Sequence, residues 1–338
     1  MANANNTSGH RTRVLVTGAG GFIGTALVQR LASLGMDVAA VSRRPGRLDT
    51  SNGAYRFFSC DLRSPEQVTS VIAQTRPQLV YHLAAHADAS ESGKQVQACI
   101  QHNIVGLANL LDAIMALPAV SLVYGDSAKV YGNGSVPYRA DQALQPLSSY
   151  GASKEAGWRL IDLYRRVHGL QATGLRPTLV YGPGQGFNLF TYLINAIHSG
   201  RAEVPLDGGT QTRDPLYIDD LIDAFVAAGQ NVRQLNGVNL PIGGNREMSV
   251  EQIARATVRL LGGDQKVVVR PGNVRPTETM RSWCDNMEAT LRLGWIPRTS
   301  FEEGILKTAR HLIGAIESPS IRATANTPDP VLASPEGA

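Results

Sequence analysis

Thr17-Gly18-Ala19-Gly20-Gly21-Phe22-Ile23-Gly24 sits between a short apolar run, Arg13–Thr17, and a segment, Phe22–Leu34, whose apolar residues Phe22, Ile23, Ala26, Leu27 and Leu31 recur at helical spacing. Gly18, Gly21 and Gly24 therefore write G-x-x-G-x-x-G across a strand-to-helix turn. Such a turn needs one residue able to make the tight bend, one without a side chain where backbone meets a pyrophosphate, and one that lets helix and strand pack closely. The helix start adds unpaired N–H groups and the positive end of its dipole. Together these features predict a dinucleotide site.

The chain on either side supports that reading. Apolar runs at Asp37–Ser42, Tyr55–Ser59, Gln78–Ala85, Val120–Gly125 and Gln171–Arg176 alternate with helical patterns at Pro65–Gln74, Val96–Met115 and Tyr150–His168. Strands that alternate with helices form a parallel sheet covered on both faces. The expected fold is α/β: a Rossmann-type doubly wound parallel sheet over 13–177. A smaller C-terminal α/β substrate-binding portion follows over 178–316, where strands are short and helices are predicted at Leu189–His198, Asp219–Ala228, Ser249–Leu261 and Phe301–Ile316. Ser249 and Gln252 make a capping box at the third of these. Residues 1–12 read as a disordered leader, and 317–338, rich in Pro, Ser, Ala and Thr, as a disordered tail.

Composition narrows the partners. The chain has 32 basic and 28 acidic residues, a formal net charge of +4, and no run of about five like charges, so no nucleic-acid partner is expected. No window approaches the roughly 18 apolar residues of a membrane span. Met1–Thr12 has no apolar core of the kind a secretory signal needs. A cytoplasmic protein without membrane contact is expected, with Cys60, Cys99 and Cys284 as reduced, buried thiols. The histidines show neither HxxxH nor HExxH spacing, so no metal site is expected. His86 reads as a loop residue, and Trp283 and Trp295 as packing residues.

Two further features concern chemistry. The second strand ends in Ser42-Arg43-Arg44, where a carboxylate would accept from the adenosine ribose hydroxyls. Paired guanidiniums suit a 2′-phosphate instead, so NADP is the expected cofactor and NAD the alternative. Asp61, with Leu62 at the end of the third strand, is placed to accept from the adenine amine. Tyr150 and Lys154 lie at i and i+4 on one helix, so they share a face. A neighbouring ammonium favours phenolate, and Tyr150 is expected to be more acidic than an isolated phenol, as a general acid/base requires. Ser127 follows the strand Val120–Gly125 at the sheet edge that carries ligands in such folds, where a hydroxyl can donate to a developing oxyanion.

TGAGGFIG at 17–24, Asp61-Leu62, YHLAA at 81–85, the N-x-x-G of Asn103 and Gly106, SAKVYG at 127–132, YGASK at 150–154, RPTLVYGPG at 176–184 and RDPLYIDDL at 213–221 together resemble an extended short-chain dehydrogenase/reductase, in particular the nucleotide-sugar epimerase/dehydratase family. The resemblance runs over about residues 12–315. It implies a Ser127, Tyr150, Lys154 catalytic triad. Tyr150 would exchange the sugar hydroxyl proton, Lys154 would hold the nicotinamide ribose, and Ser127 would polarise the reacting C–O. It further implies that Leu83, Ala84, Ala85 and Pro177 line the cofactor, and that Asn188, Arg213 and Arg275 (with Arg281 competing) bind a nucleotide-diphosphate sugar. Dehydratases of the family carry Asp-Glu after the Ser or Thr. Ala128 and Lys129 stand there, which argues against dehydration. The implied function is a nucleotide-sugar epimerase, at C4. The alternative is an NADPH-dependent reductase of a keto-sugar nucleotide, and behind it a non-catalytic NADP-binding regulator. A homodimer through the helices Val96–Met115 and Tyr150–His168 is expected.

Overall fold

The computed structural model describes residues 11–51, 53–87, 91–270 and 277–317; the expected tail beyond Glu317, which ends a helix, most of the leader and Arg275 lie outside these. In the first half the chain runs β1 (Arg13–Thr17), α1 (Phe22–Ser33), β2 (Asp37–Ser42), β3 (Arg56–Ser59), α2 (Pro65–Thr75), β4 (Leu79–His82), α3 (Gly93–Cys99), α4 (Gly106–Met115), β5 (Ser121–Gly125), α5 (Ser149–His168) and β6 (Gln171–Pro177). The second half comprises β7 (Leu179–Tyr181), α6 (Leu189–His198), β8 (Glu203–Asp207), β9 (Thr212–Arg213), β10 (Pro215–Tyr217), α7 (Ile218–Gln230), β11 (Asn239–Ile242), β12 (Met248–Ser249), α8 (Val250–Leu260), β13 (Lys266–Arg270), α9 (Met287–Leu293) and α10 (Phe301–Glu317).

One parallel seven-stranded sheet, ordered β11-β6-β5-β4-β1-β2-β3, organises the molecule. Successive residues of β1 face opposite ways. Val14 and Val16 join the core beneath α1 and α7, while Leu15 joins the core beneath α2, α4 and α5. Both faces are thus buried, which is why the strands read as continuous apolar runs. The strand order reverses direction between β1 and β4, so their carboxyl ends splay into a crevice.

Two differences from the sequence reading matter for the site. The sheet does not stop at Pro177. Its edge strand β11 comes from beyond that division and pairs Asn239–Ile242 with Gly174–Pro177, while α7 packs against α1 beside it. The long helix expected at Val96–Met115 begins at Gly93 and is interrupted by a π-helical turn, Ile100–Val105. Such a turn inserts one residue into the helical register. Here it carries Asn103, whose amide side chain accepts from the His86 N–H at 2.6 Å and donates to the Ser153 hydroxyl at 2.8 Å, tying the loop after β4 to α5. The capping box of Ser249 and Gln252 forms as expected. The remaining strands pair only as β8 with β13, β7 with β10 and β9 with β12, short and apart from the main sheet.

Candidate active site

The glycine turn closes β1 onto α1 by contacts that no side chain could share. A Cβ on Gly24 would lie 2.8 Å from the Ala19 Cα and closer still to the Gly18 carbonyl oxygen. Gly18 has φ +68°, and a Cβ there would meet the Ala84 nitrogen at 2.7 Å. Gly21 differs: a Cβ would find only the Gly18 oxygen, at 3.2 Å, so this backbone faces open space. Gly21 is also the N-cap of α1, which has no side-chain cap and no acidic residue in its first turn. The helix end is therefore left to an anion, as a pyrophosphate requires. Phe22 and Ile23 anchor the helix start in the core beneath it.

The other cofactor-side residues gather along the same edge. Leu83 and Ala84 follow β4 and donate their N–H groups to the Thr17 carbonyl and hydroxyl, each at 3.3 Å; Ala85 continues that loop. Pro177 ends β6 opposite Ile242. Arg43 and Arg44 are exposed after β2, and the loop they begin rests on Gly20, where a Cβ would meet the Arg44 carbonyl at 2.6 Å. Ser42 is not available as an independent donor, because its hydroxyl donates to the Arg44 carbonyl at 2.6 Å. Asp61 is held by the fork of Arg63, at 2.5–3.1 Å, which keeps its carboxyl low, at about 2. Leu62 packs under Gly106. A glycine cradle, an uncapped helix end and a cationic loop fit a nicotinamide dinucleotide.

Ser127 and Tyr150 meet, and Lys154 lies one helical turn beyond Tyr150. Ser127 lies two residues past β5 and caps a short 3-10 turn, accepting from the Lys129 N–H at 3.2 Å. Its hydroxyl shares a hydrogen bond with the Tyr150 phenol in the first turn of α5. Lys154, one turn on, is 2% exposed, and its ammonium lies 4.2 Å from the centre of the Tyr124 ring. Burial lowers Lys154 to about 8. The expectation of an acidified Tyr150 is not met. Part of its ring surface is open, yet the protein crowds its hydroxyl. Burial pushes it up to about 12, against the downward pull of the Ser127 hydrogen bond. The ammonium that was to acidify it sits on the Tyr124 ring.

Behind the three residues lies a layer the sequence reading did not single out. The Tyr124 hydroxyl donates to the Lys154 carbonyl at 3.2 Å, and the His82 ring stacks on Tyr124 at 6.0 Å. Burial drives His82 down to about 3, so it is neutral, with Nδ1 2.8 Å from the Thr17 hydroxyl. Asp126, next to Ser127, pairs with Arg176 of β6 at 3.0 Å and with the Asn239 amide of β11 at 2.7 Å. A carboxylate at an apolar strand end and an arginine inside the apolar run of β6 were the available signals.

On the substrate side the outcome is mixed. Asn188 caps α6 with its side-chain oxygen, while its Nδ2 is buried and has no partner, a donor available to a ligand. Arg213 is engaged within the protein. It pairs with Glu278 and donates to the Thr212 and Thr279 carbonyls at 2.6 and 2.9 Å, so it can clamp a diphosphate only by exchanging Glu278 for it. Arg281 is held by Glu247 at 2.6 Å. Trp283, read as a packing residue, has an unpartnered buried indole N–H beside the bridge between Tyr138 and Cys284.

Comparison with known proteins adds three kinds of match. Residues 14–243 match the description of the NAD dependent epimerase/dehydratase family. The UDP-glucose 4-epimerase of Mycolicibacterium smegmatis is 30% identical over 308 residues, covering 88% of this chain and 97% of that protein. Among solved structures, the UDP-glucose 4-epimerase of Thermus thermophilus in complex with NAD superposes with a TM-score of 0.81 at 29% identity, covering 90% of this chain and all (100%) of that one. The Bacillus cereus UDP-glucuronic acid 4-epimerase in complex with UDP-glucuronic acid and NAD gives 0.81 at 28% identity, covering 89% and 99%.

Proposed function

This chain belongs to the NAD-dependent epimerase/dehydratase family, and we propose that within it the protein is a C4 epimerase of nucleotide-diphosphate sugars that works by transient oxidation. The observation that carries this reading is the meeting of the Ser127 hydroxyl and the Tyr150 phenol at the carboxyl edge of the sheet, with the buried Lys154 ammonium on the Tyr124 ring one helical turn on, beside a glycine turn built for a dinucleotide. When bound, the nicotinamide ring supplies a reversible two-electron acceptor. In its phenolate form Tyr150 takes the proton of the C4 hydroxyl as that carbon is oxidised, and returns it when the carbon is reduced on its other face; because burial holds the phenol up at about 12, it must first give up its own proton. Ser127 hydrogen-bonds the oxygen that passes between alcohol and ketone. Lys154, charged below about pH 8, holds positive charge near the site. Asn188 contributes its unpartnered amide donor to the nucleotide-sugar, and Arg213 reaches the diphosphate once Glu278 yields. The relatives named above are 4-epimerases, which favours this reading over net reduction of a keto-sugar.

The finer cofactor reading is NADP. The solved relatives carry NAD, but β2 here ends in Ser42-Arg43-Arg44, and no carboxylate stands at that strand end to accept from ribose hydroxyls. A homodimer is supported by Val96, Ile100, Leu163 and Val167, which stay exposed on α3, the π-helical turn and α5. Among the described residues no helix is long and apolar enough to cross a membrane, and three buried free thiols support a reducing, cytoplasmic setting.

The test is to incubate the purified chain with a panel of nucleotide-diphosphate hexoses and pentoses, with catalytic NADP or NAD, and to follow the 4-epimer by chromatography. Conversion in both directions without net cofactor turnover is expected. Stoichiometric consumption of reduced cofactor by a keto-sugar, with no epimer formed, would overturn the reading.

A further inference from the structure

We infer that Asp126 is a positioning residue of this site: its carboxylate fixes the backbone that presents Ser127, and its charge acts on the buried Lys154 ammonium. The catalytic meaning of this inference rests on the epimerase reading; the placement of Asp126 rests on geometry alone.

The Asp126 side chain is completely buried just past the carboxyl end of β5, and its bonds tie that strand end to β6, β11 and the turn that follows. One oxygen accepts from the Ser127 N–H at 2.8 Å. The other accepts from Arg176 Nε of β6 at 3.0 Å and from Asn239 Nδ2 of β11 at 2.7 Å. Its own N–H donates to the Leu175 carbonyl at 2.8 Å. Three strands thus meet on one carboxylate, and the residue after it carries the hydroxyl that bonds Tyr150. An anion buried on this scale is costly unless paired. A neutral side chain could close the strand end without that cost, so the charge calls for its own explanation.

Lys154 supplies it. Its ammonium is shut away from water, and the groups near it are the neutral ring of Tyr124 on β5, the neutral imidazole of His82 on β4 and Asp126. Among these neighbours Asp126 is the one whose charge favours the ammonium. Arg176 neutralises Asp126 from the far side but divides its donors, giving Nη1 to the Tyr131 hydroxyl at 3.0 Å. Burial lowers the proton affinity of Lys154, and Asp126 opposes that loss.

The experiment is an NMR titration of the full chain labelled with 15N-lysine, the Lys154 signal being identified by its loss in Lys154→Met. Wild type should titrate near 8, and Asp126→Asn lower by on the order of one pH unit. Asp126→Glu, which retains the charge, should remain near wild type. In parallel, Asp126→Asn should lower kcat for epimerisation and move the pH profile to the acid side, with KM little changed. Should Asp126→Asn unfold because Arg176 is left unpaired, Asp126→Asn/Arg176→Met removes both buried charges and is read in the same way. An unchanged Lys154 titration overturns the inference, as does a change in KM alone. Unfolding of both the single and the double variant makes Asp126 purely structural and also overturns it. A wild-type chain that epimerises no sugar would refute the epimerase reading while leaving the titration to decide where Asp126 acts.

Discussion

Gly21 and Gly24 lie three residues apart in one turn, and the structure assigns them separable roles. Gly24→Ala brings a methyl to 2.8 Å from the Ala19 Cα and nearer to the Gly18 oxygen. Carbon atoms prefer about 3.5–4.0 Å, so α1 must move off β1 by roughly 1 Å. Overpacking of this kind costs about 1–3 kcal/mol, which lowers the melting temperature by about 1–4 °C. Gly21→Ala meets one atom, at 3.2 Å, in a backbone with φ −82° and ψ 174° that alanine adopts readily. Alanine is a poorer N-cap than glycine, but it reduces the freedom of the unfolded chain by a similar amount, so the ligand-free chain should melt within about 1 °C of wild type. Its methyl instead occupies the space where a pyrophosphate must approach, and cofactor should bind about 10- to 100-fold more weakly, about 1.4–2.8 kcal/mol. The assay is thermal melting of both variants with and without saturating NADP or NAD, together with calorimetric titration of the cofactor. Gly21→Ala should lose the cofactor-dependent rise in melting temperature, and Gly24→Ala should start lower without ligand. Wild-type cofactor affinity in Gly21→Ala, or equal destabilisation of the two apo variants, would refute the argument.

Other residues give sharper single tests. Ser127→Ala removes the hydrogen bond that offsets the burial of Tyr150 and the donor to the reacting oxygen; kcat should fall by about two to three orders of magnitude while cofactor titrations stay unchanged. Tyr150→Phe should abolish turnover and still bind cofactor; near-normal activity would exclude Tyr150 as the acid/base. Arg43→Ala should weaken NADP more than NAD, and an equal effect on both would remove the 2′-phosphate reading. His82 is neutral in the folded state down to about pH 3, whereas an unfolded histidine takes up a proton near 6.5. Below pH 6.5 the unfolded chain therefore binds more protons, and the contribution of His82 to stability falls as pH falls. His82→Gln removes this term, so wild type should lose up to about 1.4 kcal/mol per pH unit relative to the variant between pH 6.5 and 4. Parallel urea-unfolding curves across that range would contradict the neutral, buried ring.

The local elements were readable because each rests on neighbours in the chain. Strand β1, the turn at 17–24 and α1 follow from apolar spacing and glycine placement, and the cap of α8 from Ser249 and Gln252 at the helix start. The Ser127, Tyr150, Lys154 set was visible too, since two members share a helix face and the third follows a strand end. What those groups experience was not visible. The acidity of Tyr150 depends on how densely the folded chain surrounds its hydroxyl, and that packing reverses the expectation drawn from Lys154 alone. Arg213 is another such case: the family resemblance implies a diphosphate there, and only the approach of Glu278, 65 residues away, shows the guanidinium already engaged.

Asp126 marks the boundary most clearly. Covalent neighbours place it one residue before the reactive hydroxyl and say nothing more. Its partners Arg176 and Asn239 lie 50 and 113 residues distant and reach it because β6 and β11 dock beside β5. Period and glycine spacing act over a few residues, so the sequence alone determines the strands of the first half, most of the helices and the identity of the turn. Charge and solvation act through space, so the protonation of Tyr150, Lys154, His82 and Asp126 belongs to the tertiary structure, which decides which groups share a water-free interior.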